Sequence, residues 1–314
     1  MGMTANQLAL VRAVAENKLS DAKQYALCCC AEDTTQKNAI YVKRYKNLLQ
    51  NNPSMIEMPY NIQGMAQMED VTTAFRADRY FLSDREAELF KHIASMNEAG
   101  LKLMEIGIPY LNAILLTGVS GTGKTTFGRY VAHKLGLPFL YINFSYLIDS
   151  YMGNTSKNLR NVFDFARMNK CLLMLDEIDC IAQSRKGASE GSTREFNNTT
   201  ISLLQELDKI QNDSIIIGAT NIPKEIDAAV KRRFAIQHEI LSPSEEECGM
   251  MMNQYLQSVG MKYEPKSVEN LVRGWYSESY LPEYTPPTQA AILNYMISKI
   301  ANAIINKSEI IILD

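Results

Sequence analysis

Residues Gly118 to Thr125 read GVSGTGKT and satisfy the pattern G-x-x-x-x-G-K-[ST]. Glycines in such a loop let backbone N–H groups wrap phosphate oxygens, and a helix opening behind it adds the positive end of its dipole. Lys124 is expected to reach the β- and γ-phosphates of a nucleotide, and Thr125 to ligate Mg²⁺. The expected nucleotide-binding set is Gly118, Val119, Ser120, Gly121, Thr122, Gly123, Lys124, Thr125 and Thr126, joined by Asp176. The stretch CLLMLDEID supplies the second half. Four apolar residues precede Asp176, so its carboxylate emerges at the C-terminal edge of a buried strand, beside the phosphate loop. Asp176 is expected to hold the magnesium through water. Glu177 is placed to orient and deprotonate an attacking water; without a base there, ATP would bind but hydrolyse slowly. ATP and Mg²⁺ are thus the expected cofactors.

The elements around these residues fit that chemistry. Short apolar runs, AILLT (113–117), PFLYIN (138–143), CLLML (171–175), SIIIGAT (214–220) and IQHEI (236–240), alternate with helical patterns. Continuous apolar strands between helices predict a parallel five-stranded sheet covered on both faces, an α/β fold. In NLRNVFDFARM, Leu159, Val162, Phe163 and Ala166 share one helical face. Residues 4–16, 20–31 and 34–50 read as three helices, with Ser20 and Asp33 as caps and Leu8, Val11 and Ala15 as an apolar stripe. Residues 51–79 carry two prolines and no clear period, the mark of a linker or of an arm lying along the next domain. Residues 244–305 read as helical throughout. The terminal SEIIILD could form a strand, but nothing in the sequence names its partner.

Composition sets the outer bounds. The 314 residues are 46% hydrophobic and 21% charged with a formal net charge of −3, which is ordinary for a globular protein and argues against nucleic acid as the main partner. Residues 1–50 carry seven Lys/Arg against four Asp/Glu and residues 242–314 five against nine, so the two ends differ in sign. No apolar run reaches the length of a membrane span, and the N-terminus lacks the basic start and apolar block of a signal peptide. The six cysteines show no metal-ligand spacing and fit a reduced, cytoplasmic protein with no membrane partner.

Taken together the motifs resemble those of the AAA+ ATPases over about residues 100 to 300. IIIGATN is similar to the family's fourth strand with its sensor asparagine, Asn221, and STREFNNTTISLLQELD to the helix before it. IPKEIDAAVKRRF resembles the segment carrying arginine fingers, which implies that Arg232 and Arg233 project into a neighbouring subunit's ATP site. A cation there would spread the charge of the transferring phosphate and make hydrolysis depend on assembly. Adjacent arginines before Phe234 bring the chain nearest to the meiotic branch, with katanin and spastin. Val119 and Ser120 stand where the family usually has Pro-Pro, and YTPPTQAAI stands in the lid where relatives often have Ser-Gly-Ala-Asp. No arginine follows Arg273, so the second-sensor arginine of other branches is missing. Tyr151, Met152 and Gly153, in the polar stretch DSYMGNTSKN, occupy the place of an aromatic-hydrophobic-glycine triplet that in the family faces the pore of a hexameric ring; otherwise Tyr151 caps the core of its own subunit. RKGASEGS, 185–192, is the candidate second pore loop.

The resulting expectation is four parts. Residues 1–50 form a helical partner-binding module, 51–79 a linker or arm, 80–241 the AAA+ nucleotide-binding domain and 242–314 a helical lid. The chain would bind ATP with Mg²⁺, self-assemble as a homo-oligomeric hexamer and remodel a protein substrate, with residues 1–50 docking that substrate or a partner effector. The alternative is an ATP-gated module that recruits a separate protease or nuclease and threads nothing. A weaker alternative has residues 1–50, with YVKRYK at 41–46, bind nucleic acid.

Overall fold

The computed structural model describes residues 2–15, 19–51, 58–59, 62–108, 110–144, 155–182, 190–210, 214–277, 279, 281 and 284–313. They fall into two compact units, residues 1–60 and 61–314.

The first unit is three helices, α1 (Ala5–Ala15), α2 (Leu19–Glu32) and α3 (Ala39–Asn51). Asp33 shapes the α2–α3 connection: its Oδ1 accepts from the Thr35 N–H at 2.9 Å and its Oδ2 from Asn38 Nδ2 at 2.8 Å. Asn6 Nδ2 donates to Glu32 Oε1 at 2.5 Å, tying the start of α1 to the end of α2. Two expectations are corrected. Ser20 lies within the first turn of α2 rather than before it, and Leu8, Val11 and Ala15 are exposed. Ala13 and Ala22 are the residues buried where α1 packs on α2. A unit this small cannot bury an apolar face on every helix.

The second unit is built on a sheet. Its strands are β1 (Gln67–Glu69), β2 (Asn112–Thr117), β3 (Phe139–Asn143), β4 (Leu172–Asp176), β5 (Ile215–Thr220) and β6 (Ile236–Glu239), ordered β1-β3-β4-β5-β2-β6. The last five are the predicted strands and run parallel. β1 is an addition: it pairs antiparallel with β3, Gln67 opposite Tyr141 and Glu69 opposite Phe139, so the expected five-stranded sheet is a mixed sheet of six. Three residues are too few to show a period, yet they satisfy backbone groups that an open β3 edge would leave unpaired. Helices α4 (Asp84–Glu105), α5 (Lys124–Leu135), α6 (Thr155–Met168) and α7 (Glu190–Lys209) accompany the sheet. The apolar strands exclude water almost fully: Ile114, Leu116, Phe139, Leu172, Met174 and Ile217 form one core with Phe127 of α5 and with Val71 and Tyr80 from the segment before α4.

Beyond β6 the chain forms α8 (Glu245–Val259), α9 (Pro265–Tyr276) and α10 (Gln289–Ile305), with its own core of Met252, Leu256, Val268, Val272, Ile292 and Met296. A capping box of Ser244 and Glu247 starts α8. The continuous helical reading of 244–305 is corrected. Gly260 ends α8 in a left-handed conformation, and residues 284–288, with Pro286 and Pro287, are not helical because proline has no N–H to donate. A short strand, β7 (Lys262–Tyr263), pairs in parallel with β8 (Ile310–Ile311), which gives the C-terminal strand its partner.

Among the polar groups, Glu206 of α7 is 1% exposed and accepts from Arg167 of α6 at 2.9 Å and from Lys209 at 2.7 Å. Burial alone would raise its carboxyl; the hydrogen bonds and charges of Lys209 and Arg167 outweigh that and hold it below its ordinary value. A carboxyl lowered in the folded state contributes stability above its unfolded pKa, and that stability is lost as pH falls through the folded value. Glu206→Gln should therefore lower the melting temperature at neutral pH but flatten its decline below about pH 4.3, the ordinary glutamate value. Parallel acid limbs for the two proteins would refute this.

Candidate active site

β2 ends at Thr117 and delivers the chain to a loop that only glycine can trace, with φ of 139° at Gly118, 83° at Gly121 and 98° at Gly123. A Cβ on Gly118 would overlap the carbonyl oxygen of Ile240. Lys124, the first residue of α5, is 7% exposed, and its Nζ donates to Gly118 O at 2.8 Å, Val119 O at 2.9 Å and Asn221 Oδ1 at 2.7 Å. Those three acceptors use every proton of the ammonium. Burial pulls its pKa down from the ordinary lysine value, opposed by the charges of Asp176 and Asp179.

Asp176, the last residue of β4, is fixed through both oxygens. Thr125 Oγ1 donates to Oδ2 at 2.7 Å, the Tyr141 hydroxyl reaches the same oxygen at 3.3 Å, and the Glu177 N–H donates to Oδ1 at 3.0 Å. Tyr141 is supported in turn. The Arg129 guanidinium lies 5.8 Å from its ring centroid and is held by Glu69 of β1 through two hydrogen bonds of 2.7 and 2.9 Å. Glu177 has φ of 54°, a left-handed conformation unusual for a residue with a Cβ and typical of functional turns. The Ile178 N–H to Ala219 O at 3.0 Å and Thr220 Oγ1 to Asp179 Oδ1 at 2.7 Å lock this turn to β5. A hydroxyl and a carboxylate oxygen side by side are hard donors that suit Mg²⁺, which keeps several waters and takes phosphate oxygens rather than a full protein cage. Thr125 and Asp176, 2.7 Å apart, are the pair whose chemistry fits it.

A cavity of about 560 Å³ opens over these groups. Ser120, Gly121, Gly123, Lys124, Thr125, Thr126, Asp176, Glu177 and Asn221 all line it. Gly118, Val119 and Thr122 shape the loop without lining the cavity; Thr122 is buried and donates to Val119 O at 3.0 Å. The opposite walls were not legible as such: Phe75, Arg79 and Tyr80 precede α4, while Met251, Tyr255, Gln289 and Ala290 come from the helices after β6. Gln254 of α8 donates to Asp78 O at 3.1 Å and Tyr80 O at 2.9 Å, which joins these two walls. The aromatic and basic run RYF at 79–81 was the available signal. Tyr141 was visible only as one more strand residue.

Arg232 and Arg233 do not line the cavity. Arg232 is exposed, whereas Arg233 donates to both oxygens of Asp208 at 3.1 Å and to Ala229 O at 3.1 Å. Tyr151, Met152 and Gly153, and residues 185–189 of the second candidate loop, lie outside the described residues.

Residues 114–242 match the family described as ATPase family associated with various cellular activities (AAA). An uncharacterized AAA family ATPase, y4kL, of Sinorhizobium fredii is 36% identical over 133 residues, 42% of this chain and 40% of that protein. The ATP-dependent zinc metalloprotease FtsH 1 of Thermomicrobium roseum is 33% identical over 179 residues, 52% of this chain and 28% of that protein. FtsH of a Synechococcus strain is 33% identical over 159 residues, 46% of this chain and 25% of that protein. The chain thus covers less than half the length of these relatives, and the shared part is a AAA family ATPase domain of α/β class.

A Cβ on Gly123 would overlap Gln289 Oε1 and sit on left-handed backbone. Gly123→Ala should therefore weaken ADP binding by about tenfold or more, ~1.4 kcal/mol, and lower the melting temperature. Unchanged ADP affinity in calorimetry would contradict this account of the loop.

Proposed function

We propose that this chain hydrolyses ATP and uses the energy to remodel a protein. The observation that carries the reading is the convergence of Lys124, Thr125, Asp176, Glu177 and Asn221 on one cavity, walled on its far side by aromatic and apolar residues suited to a base. Glycine-loop N–H groups and Lys124 would bind the phosphates. For that, Lys124 exchanges at least one of its present acceptors, and the Asn221 carboxamide is the mobile one of the three. Bound Mg²⁺, held by Thr125 and through water by Asp176, would supply charge neutralisation at the phosphates. Glu177 would take the proton of the attacking water, and Asn221 would help to orient it.

Assembly into a homo-oligomeric ring, a hexamer on the family pattern, would bring Arg232 and Arg233 to the neighbour's site. Arg232 is the readier of the two, since Arg233 must first leave Asp208. Tyr151, Met152 and Gly153 would grip polypeptide in the pore. The branch near katanin and spastin is read from the adjacent arginines and the lack of an arginine after Arg273. The metalloprotease activity named for some relatives is not carried over: the three histidines, His92, His133 and His238, form no His-Glu-x-x-His pair. Residues 1–50, whose α3 exposes Ile40, Tyr41 and Tyr45, would dock the substrate or a partner. The second reading is an ATP-gated recruiter of another enzyme, and unfolding of a tagged test protein divides the two.

Glu177→Gln should bind ATP normally and trap it, with turnover reduced by orders of magnitude, because a carboxamide cannot accept the proton. Equal turnover in the variant and the parent would remove Glu177 from this role. Mixing Arg232→Ala,Arg233→Ala subunits with Lys124→Ala subunits should restore part of the lost turnover, since some interfaces then join an intact site to intact arginines. No rescue between subunits shown to mix would exclude fingers acting in trans. Tyr151→Ala should keep its melting temperature and basal turnover and lose substrate stimulation; a loss of roughly 3–5 kcal/mol of stability would instead mark a buried aromatic.

A further inference from the structure

The start of α10 lies directly on the phosphate loop. The Ala290 N–H donates to Gly121 O at 3.0 Å, and a Cβ on Gly121 would stand 2.9 Å from Thr288 Oγ1 and 3.2 Å from Ala290 Cβ. The next side chain in this row is Gln289, whose carboxamide occupies the space over Gly123 that a Cβ would need. Thr288 caps the 17-residue helix, accepting from the Ala291 N–H at 3.3 Å, so the positive end of the α10 dipole also faces the loop. Of the residues that the segment beyond β6 offers to the cavity, Met251, Leu293, Ile297 and Ala290 carry no hydrogen-bonding head, and the Tyr255 ring carries the Arg79 guanidinium 5.8 Å from its centroid. Gln289 is therefore the polar side chain this segment presents at the phosphate end. Arg273, the only arginine after Arg233, is exposed on α9 and does not line the cavity.

We infer that the Gln289 carboxamide donates a hydrogen bond to a phosphate oxygen of the bound nucleotide. The inference rests on the cavity being the nucleotide site. An amide donor to an anionic oxygen is a charge-assisted bond that adds affinity without adding charge. Gln289 also borders a second cavity, of about 710 Å³, together with Ser83, Leu241 and Ser244 at the junction of the sheet with α8.

The test is ADP titration by calorimetry on the full chain, with two variants. Gln289→Met keeps the length of the side chain and its packing and removes the donor; it should bind ADP about tenfold more weakly at an unchanged melting temperature. Gln289→Glu keeps the shape and sets a carboxylate against phosphate; it should bind more weakly still, and its deficit should shrink as salt is raised. Parent-like ADP affinity in Gln289→Glu, with Lys124→Ala in parallel losing binding, would overturn the inference and leave the site intact. A Lys124→Ala protein that binds ADP like the parent would overturn the site itself, and the role of Gln289 with it.

Discussion

The active site depends on three missing side chains. Gly118, Gly121 and Gly123 each stand where a Cβ would collide, but with different partners: the backbone leaving β6 at Ile240, Thr288 before α10, and Gln289 within it. The loop is bare on its inner face so that N–H groups can approach phosphate, and bare on its outer face so that the lid can approach the loop. The chain brings the exit of β6 and the entry of α10 to the same few ångströms.

The charged side chains at the heart of the site have hydrogen-bond partners within the chain. Lys124 is nearly buried, yet each of its protons has an acceptor, and Asp176 is hydrogen-bonded through both oxygens. An unpaired buried charge would be strongly unfavourable, and these internal partners avoid it. The partners differ in stiffness. Gly118 O and Val119 O are backbone, whereas Asn221 is a side chain on the turn after β5. The left-handed Glu177 is held in the same way, by hydrogen bonds between its neighbours and β5. Strain at the proposed base is thus supported by the best-buried strands of the molecule.

The same logic extends outward from the sheet. Glu69 on the edge strand fixes Arg129, Arg129 lies over Tyr141, and Tyr141 touches Asp176. On the other side Glu206 clamps α6 to α7, the two helices that follow the candidate pore loops. An ion pair of this kind is weak support for stability when it is exposed, but Glu206 is almost fully covered, and breaking it would leave Arg167 and Lys209 without their shared partner.

The parallel strands, the glycine loop, Asp176 and Glu177 were legible from the amino acids alone, because each is written locally. A buried strand needs a continuous apolar run, a phosphate loop needs its glycines at fixed offsets, and a carboxylate at the end of such a run can only emerge at the sheet's edge. What failed or stayed silent was set by distance along the chain. β1 is three residues long and exists because β3 offers it an edge. Leu8 and Val11 have the spacing of a buried stripe, but they face outward from their unit. The prolines at 286 and 287 were plain in the sequence, yet their consequence, a chain turned so that Gln289 lands on Gly123, was not. Tyr141, Arg79 and Gln289 reach the site across 35, 45 and 165 residues of chain measured to Asp176 or Lys124. Only tertiary structure could bring them there, since periodicity says which face a side chain takes and never which distant residue will meet it.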